Sequence, residues 1–463
     1  MDTLHPNVEW LRYPEAESFV AGRLETFVER MPELKRFAAA LYDQAGGRLI
    51  DWVDHLVLAD GQAIRGRLAD VGLEPEDVPA EPGDTVFYHP GALFPWVILR
   101  GSPAPEATDG DVLALALRVE DLSHFLMAQQ VPAAVEGSPL SPLRRAQVWA
   151  NGRRQVLAVE RRAWRGMVPT TLAPDYAQLY MRAMERWATR PRRFDDDRQG
   201  MRQTLELAQT LAGELGTGTA CWIAFAAERV YWQQRSRAGQ AQRSRQERLG
   251  LGWANHDHHT FRSSRSAFPV LIEILETFGF RARERFYAGQ EAGWGAQVLE
   301  QPVCQIAVFA DVDLAPEEVA ADFSHSPLAP RDEIGTVGLW CALHGESMLA
   351  AGLHHLAGRY DFDAETEGIA GWGIKMLHPF SDFSYLRQAF TQGERWPVDP
   401  DRLDQLAGQG LITAAQRAQF AAQGAIGSHL ENIQRGEGFK GFNQRAVSDI
   451  IRRTDPRAEY GAA

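Results

Sequence analysis

The chain has 463 residues, 45% of them hydrophobic and 24% charged, which is the composition of a soluble globular protein with room for roughly two or three domains. Its formal charge of −13 argues against nucleic acid as the main partner, since holding a phosphate backbone needs a basic surface. Three widely spaced cysteines, Cys221, Cys304 and Cys341, offer neither a disulfide framework nor a zinc pattern. The first 13 residues lack the apolar core of a secretory signal and no apolar run is long enough to span a membrane, so a cytoplasmic protein without membrane contact is expected.

In chain order, Phe19, Leu24, Phe27, Met31, Leu34, Phe37 and Leu41 recur at helical spacing and predict a helix over 15–45, ended by Gly46 and Gly47. Residues 50–162 then read as two tandem strand-helix-strand-strand units. The first has strands at 52–58, 85–89 and 96–100 and a helix at 62–71. After a Pro-rich loop around 102–108, the second has a strand at 112–119, a helix at 121–129 and a hairpin of 146–150 with 155–161, for which Asn151-Gly152 is the turn signal. Residues 174–248 change to three helices and a polar, arginine-rich stretch at 236–248, a pattern that predicts a helical connector with solvated charged faces. From Trp253 the strand-helix pattern returns, with strands at 257–262, 281–287, 297–299, 305–312 and 371–377 and helices at 268–278 and 401–423. The chain closes with 427–436 and the run 445–453. Asp54-His55 and Asp257-His258 each follow an apolar or aromatic lead-in and precede a helix, an internal echo between the two halves.

The densest chemistry lies in 253–265, with three histidines, an aspartate and two arginines. Strand alternation puts His258, Thr260 and Arg262 on one face, an imidazole beside a guanidinium, suited to a metal ligand next to an anion clamp. A mononuclear iron site of the two-histidine, one-carboxylate type needs a second imidazole and an acid on that face. The segment Leu353-His354-His355 supplies the histidine, and Ser428-His429-Leu430-Glu431 supplies the acid.

Three segments carry a resemblance. Asp257-His258-His259-Thr260-Phe261-Arg262, His355-Leu356-Ala357-Gly358-Arg359 with Asp361 and Asp363, and Gly427-Ser428-His429 with Glu431 and Gln434-Arg435-Gly436 resemble, in order, motifs of the 2-oxoadipate dioxygenase/decarboxylase (hydroxyglutarate synthase) family. Phe278-Gly279-Phe280 resembles the aromatic-glycine-aromatic step after its first motif. The resemblance covers about residues 253–455, and the N-terminal half matches only the superfamily pattern. It implies a vicinal oxygen chelate fold of paired βαβββ units, with Fe(II) held by His258, His355 and Glu431 and a substrate carboxylate held by Arg262. Arg359 is then a second anion clamp or a partner of Asp361 or Asp363, and His429 an orienting group or a surface histidine. The implied reaction uses O2 to decarboxylate a small 2-oxo acid and hydroxylate the shortened chain.

The expectation is therefore an α+β protein in which an N-terminal helix (1–48) precedes two vicinal-oxygen-chelate-like half-barrels of βαβββ units, joined by a helical segment. The first (49–170) is a degenerate barrel without metal, although His55 and Glu160 stand at positions read as equivalent to the first and last ligands; it is left a scaffold role or a homodimer contact. The connector spans 171–250, and the metal-binding catalytic domain spans 251–463. His259 is expected on the opposite face, in packing or at the surface, His256 to sit in a turn, and His354 to rank behind His355. His344 and His378 are isolated, and Glu346 and Glu437 are the fallback acids. An extradiol dioxygenase, a glyoxalase-like enzyme and a non-catalytic binding protein are alternatives on the same fold.

Overall fold

The structure, a computed structural model, describes residues 10–101, 108–290, 292–443 and 455–457. The Pro-rich loop at 102–107 and the run 445–453 lie outside the described residues.

The expected single N-terminal helix is two, α1 (Pro14–Glu29) and α2 (Pro32–Ala45). Pro32 has no N–H to continue the ladder of α1, so it opens a new first turn instead. Gly46 closes α2 with φ 65°, a left-handed cap that suits glycine. The first sheet holds β1 (Val53–Ala59), α3 (Gln62–Asp70), β2 (Glu74–Glu76), β3 (Asp84–Tyr88), β4 (Trp96–Arg100), β5 (Val112–Val119), α4 (Leu122–Gln129), β6 (Leu143–Asn151) and β7 (Arg154–Arg161). Its strand order is β2-β3-β4-β1-β5-β7-β6. The unit from β1 to β4 is βαβββ; the unit from β5 to β7 is one strand shorter, with only an isolated bridge between Glu136 and Arg145 beyond β6. β1 and β5 join the units antiparallel. Asn151 pairs with Arg154, so the hairpin turns through Gly152-Arg153, one residue later than expected.

Four helices follow: α5 (Tyr176–Ala188), α6 (Asp197–Leu215), α7 (Thr217–Gln233) and α8 (Arg237–Glu247). Solvated charged faces are present on α5 and α6, where Arg182, Glu185, Arg202 and Glu206 are exposed, but the expectation fails for α7 and α8. Phe225 and Trp232 of α7 are fully buried in one core with Phe261, Leu271 and Leu275 of the second half. In α8, Gln242, Arg245 and Gln246 are buried as well. Buried polar groups call for hydrogen bonds: Gln242 donates to the Ala45 carbonyl, Arg245 to the Gln44 carbonyl and Gln246 to the Gly252 carbonyl.

The second sheet holds β8 (His256–Arg262), α9 (Phe268–Thr277), β9 (Arg281–Tyr287), β10 (Trp294–Gln301) and β11 (Ile306–Asp313), a full βαβββ unit. After α10 (Thr336–His344) the second unit runs through β12 (His355–Arg359), α11 (Phe362–Ala370), β13 (Ser381–Phe383), β14 (Leu386–Phe390), β15 (Glu394–Trp396), α12 (Pro400–Gly408), α13 (Ala414–Gln423) and β16 (Ala425–Arg435). The strand order is β13-β14-β16-β12-β8-β11-β10-β9, with β15 on the side of β16. The strand expected at 371–377 is absent: Gly373 at φ 71° turns the chain out of α11, and only Met376 makes a bridge. The helix expected over 401–423 is two, because Gly410 at φ 71° ends one and Thr413 with Gln416 forms a capping box for the next. The architecture is thus α+β, two sheets of paired units with the helices of 176–247 packed against the second. No helix among the described residues is long and apolar enough to cross a membrane.

Candidate metal centre

Alternation along β8 sorts its side chains. Phe261 and His259 turn to the α7 core, where the Phe225 ring meets them at 5.7 and 5.2 Å. His259 is fully buried there, in packing rather than at the surface. His258, Thr260 and Arg262 turn to the other side and line a cavity of about 70 Å³. Backbone pairing then fixes what faces them. β12 sets His355 opposite Thr260 and Ala357 opposite His258, and β16 sets Glu431 opposite Ala357. Small Ala357 leaves the space that His258 and Glu431 fill from either side.

The three side chains converge. His258 Nε2 and His355 Nε2 each lie 3.1 Å from the same oxygen, Glu431 Oε2. Ligand atoms ~2.1 Å from one ion and at right angles to each other lie ~3.0 Å apart, so the separations match one face of a coordination polyhedron. All three are buried. A second cluster, His354, His355 and His429, also lies within ligand distance of itself. It competes poorly: it brings no carboxylate charge, and His429 Nε2 lies 3.1 Å from His355 Nδ1, the nitrogen turned away from Glu431. His429 thus sits behind His355 and fixes its ring. His354 contacts the Gly427 carbonyl through Nδ1 at 3.2 Å.

Further groups set the ligands, and the sequence reading gave them no role. Asp257 Oδ2 holds His258 Nδ1 at 3.0 Å, and Arg435 grips both oxygens of Asp257 at 2.9 and 3.0 Å. Gln388 donates to Glu431 Oε1 at 2.9 Å, leaving Oε2 for the centre. Thr260 Oγ1 is 2.8 Å from His355 Nε2. A carboxylate on the outer nitrogen of an imidazole fixes its tautomer and raises its basicity. The Asp-His pair was visible in sequence; Arg435 and Gln388 were not, because only strand pairing brings them near.

Charge runs through the cluster. Burial alone would push the His258 imidazole down, but the Glu431 carboxylate and the bonds to Asp257 and Glu431 outweigh it and raise it to about 9. Burial opposes ionisation of Glu431, yet His258 and the two imidazole contacts hold its carboxyl well below the usual range. His355 is lowered by burial, with His258 and Arg262 adding to that. Arg262 lines the same cavity, its Nε 3.9 Å from Asp311 Oδ2 and its guanidinium 5.7 Å from the Trp340 ring. Burial raises the Asp311 carboxyl to about 7 against the pull of Arg262. Phe286, Trp294, Phe309, Phe380, Phe390 and Phe442 complete the walls.

Other expected groups lie elsewhere. Arg359 lines a different cavity, between the two sheets; the β12–β8 register shifts between Ala357 and Gly358, just before it. Neither Asp361 nor Asp363 forms an ion pair with it: Asp361 caps α11, and Asp363 contacts Arg387 at 3.4 Å. His256 opens β8 rather than a turn and is buried. Glu346 is buried and accepts from Ser263 and Ser264, and Glu437 lies against Arg12. His344 contacts the Ile426 carbonyl.

The same register locates the corresponding place in the first sheet. There β1 sets His55 opposite Ala116 and Val57 opposite Ala114, and β7 sets Leu157 opposite Ala116. His55 thus matches His258, but Ala114 stands for His355, Leu157 for Glu431 and Val57 for Thr260. The carboxylate counterpart is therefore Leu157, and Glu160 lies three residues further on, paired with Arg144. One imidazole with alanine and leucine cannot make this kind of centre. The outer layer survives: His55 Nδ1 is 2.8 Å from Asp54 Oδ2, and Arg161 grips Asp54 as Arg435 grips Asp257.

No protein-family profile matches the sequence, and no curated protein matches it. Among solved structures the chain is similar to a variant of 4-hydroxymandelate synthase from Streptomyces coelicolor, at 15% identity over 89% of this chain and 99% of that one, with a TM-score of 0.30. It is similar to the Mn(II)-bound glyoxalase from Novosphingobium aromaticivorans at 11% identity over 83% and 82%, with a TM-score of 0.19. It is also similar to methylmalonyl-CoA epimerase from Mycobacterium tuberculosis at 14% identity over 40% and 89%, with a TM-score of 0.23.

Proposed function

We propose that the chain is a metal-dependent oxygenase of the vicinal oxygen chelate type, with Fe(II) held by His258, His355 and Glu431, acting on a small chelating carboxylate such as a 2-oxo acid. The observation that carries this reading is the meeting of three buried ligand side chains from three strands on one carboxylate oxygen. The donor set fits iron: two imidazoles and one carboxylate on one face leave the opposite face open for substrate. When bound, the metal polarises a chelating keto acid and provides the place where O2 reacts.

The chain's own residues do the rest. Asp257, clamped by Arg435, keeps His258 in the tautomer whose Nε2 faces the centre. Gln388 turns Glu431, and His429 fixes the His355 ring. Arg262, on the face of His258, receives a substrate carboxylate through its planar fork. The aromatic walls exclude water and suit a substrate with an apolar or aromatic body. That last feature also favours a second reading, ring-opening oxygenation of a catechol-like substrate on the same ligands.

The test is metal analysis of anaerobically purified protein, followed by oxygen uptake with aliphatic and aryl 2-oxo acids and with catechols. One Fe(II) per chain and uptake dependent on a 2-oxo acid, abolished in Glu431→Gln, are expected. Uptake with catechols alone would select the second reading. Absence of metal binding in the wild type would end both.

A further inference from the structure

The cavity between the two sheets, about 160 Å³, is lined by charged groups, of which only Asp257 and Arg435 also serve the metal centre. Its acids are already engaged. Asp51 is held by Arg48 at 2.8 Å, Asp54 by Arg161 at 2.7 Å and Asp257 by Arg435 at 2.9 Å. Glu17 accepts the backbone N–H of Glu437. Two cations are left over. Arg118 Nη1 donates to the neutral amide oxygen of Gln305 at 2.7 Å, and no carboxylate lies within ion-pair distance of it among the described residues. The Arg359 guanidinium has no hydrogen bond or ion pair among the described residues, and its Nε is buried.

Strand register makes these two arginines counterparts. Arg118 lies two residues beyond Ala116, which faces His55; Arg359 lies two residues beyond Ala357, which faces His258. Each sheet therefore delivers to this cavity an aspartate already clamped by an arginine, and one spare guanidinium. Burial, then the nearby charges of Arg161, Arg359 and Arg229, push the Arg118 guanidinium down to about 10 even with Asp54 close by. Gathering buried cations is costly unless an anion neutralises them. A planar guanidinium matches carboxylate and phosphate oxygens two at a time. The volume is below that of a pocket for a drug-sized molecule, roughly 300 Å³ and upward, which suits a small anion.

We propose that this inter-sheet cavity is a binding site for a small oxyanion, held between the guanidinium forks of Arg118 and Arg359. Its chemistry is that of inorganic phosphate or a short dicarboxylate, and it is separate from the substrate cavity at the metal centre. The anion ties the two sheets together at the place where their repeated elements meet.

The experiment is calorimetric titration of the full-length, metal-loaded protein with inorganic phosphate and, separately, with succinate, together with thermal denaturation in anion-free buffer. One anion per chain and a raised Tm are expected for at least one of the two probes, and which one binds identifies the source chemistry. Arg118→Gln and Arg359→Gln should each weaken that binding at least tenfold, whereas the surface control Arg417→Gln should not; metal content should stay that of the wild type in all three. In anion-free buffer both glutamine variants should be at least as stable as the wild type, because each removes a like charge. Failure of both probes to bind the wild type at millimolar concentration overturns the proposal. So does unchanged affinity in both variants. A glutamine variant that loses stability without anion would give its arginine a structural role and overturn the proposal too.

Discussion

At the scale of single residues, the sharpest dependence is that of His258 on Asp257. The aspartate is not a ligand, yet it holds Nδ1 at 3.0 Å and is itself held by Arg435. Asp257→Asn keeps the shape but removes the charge and the acceptor strength, so metal affinity should fall ~10–100-fold, as for other groups behind a metal ligand. Metal titration of the variant, with circular dichroism to confirm the fold, measures it; affinity equal to the wild type would mean the pair is only structural. Arg262 gives a second prediction. Arg262→Ala should raise the KM for a carboxylate substrate by the equivalent of ~1.5–3 kcal/mol, the worth of a charged hydrogen bond, with metal content unchanged. Arg262→Lys keeps the charge without the fork and should recover only part of the loss. If Arg262→Ala lost thermal stability while affinity held, the arginine would belong to the fold through Asp311 and Trp340.

At the scale of elements, β16 is the strand whose placement matters most, since it brings Glu431 and His429 to the centre. Gly427 near its start has no room for a side chain: a Cβ there would lie 2.0 Å from the Trp396 ring, and the Gly427 carbonyl accepts from Trp340 and His354. Gly427→Ala should therefore destabilise by ~1–3 kcal/mol, the usual cost of overpacking, and loosen metal binding with it. Chemical denaturation and metal titration together test this; an alanine variant as stable as the wild type would refute it. The elements also show what was legible. Alternation along β8 puts His258, Thr260 and Arg262 on one face from the sequence alone, and six of the seven strands of the first sheet lie within a few residues of their expected positions; β2, three residues long with Glu74 and Pro75 exposed, offers no apolar alternation and was missed. Three breaks were missed because single residues decide them: Pro32 between α1 and α2, Gly373 after α11, and Thr413 opening α13. The site was half legible. Residue types and order named three candidate ligands, but the sheet register placed Arg435 and Gln388 behind them and carried Arg359 to another cavity. Equivalence between the halves also needed register, which replaces Glu160 by Leu157 as the counterpart of Glu431.

At the scale of the whole molecule, the polar helix α8 couples the two halves, and its burial was invisible to apolar periodicity. Gln242 and Arg245 bond the carbonyls of Ala45 and Gln44 at the end of α2, and Arg245 Nη1 meets Glu365 of α11 at 2.6 Å. Three elements far apart in sequence therefore meet at Arg245, whose guanidinium bonds the end of α2 on one side and the buried Glu365 carboxyl of α11 on the other. Burial raises Glu365 from 4.5 to about 8, with Arg245 opposing but not cancelling it. The sign follows from proton counts. Between about pH 4.5 and 8 the folded state keeps a proton on Glu365 that the unfolded state has lost, so stability falls as pH rises. Below that window both states are protonated and the contribution is fully present; above it both are ionised and the loss is complete. The span is on the order of a few kcal/mol. Glu365→Gln mimics the protonated carboxyl and still offers an acceptor to Arg245. Its stability should be close to that of the wild type at pH 5 and exceed it at pH 8.5, with a flatter profile between. Urea unfolding at half-unit steps of pH on both proteins measures the difference. Parallel profiles across the whole window would mean that Glu365 is ionised in the folded protein and that Arg245 holds it as a true ion pair, which would leave α2, α8 and α11 joined by charge at every pH in that range.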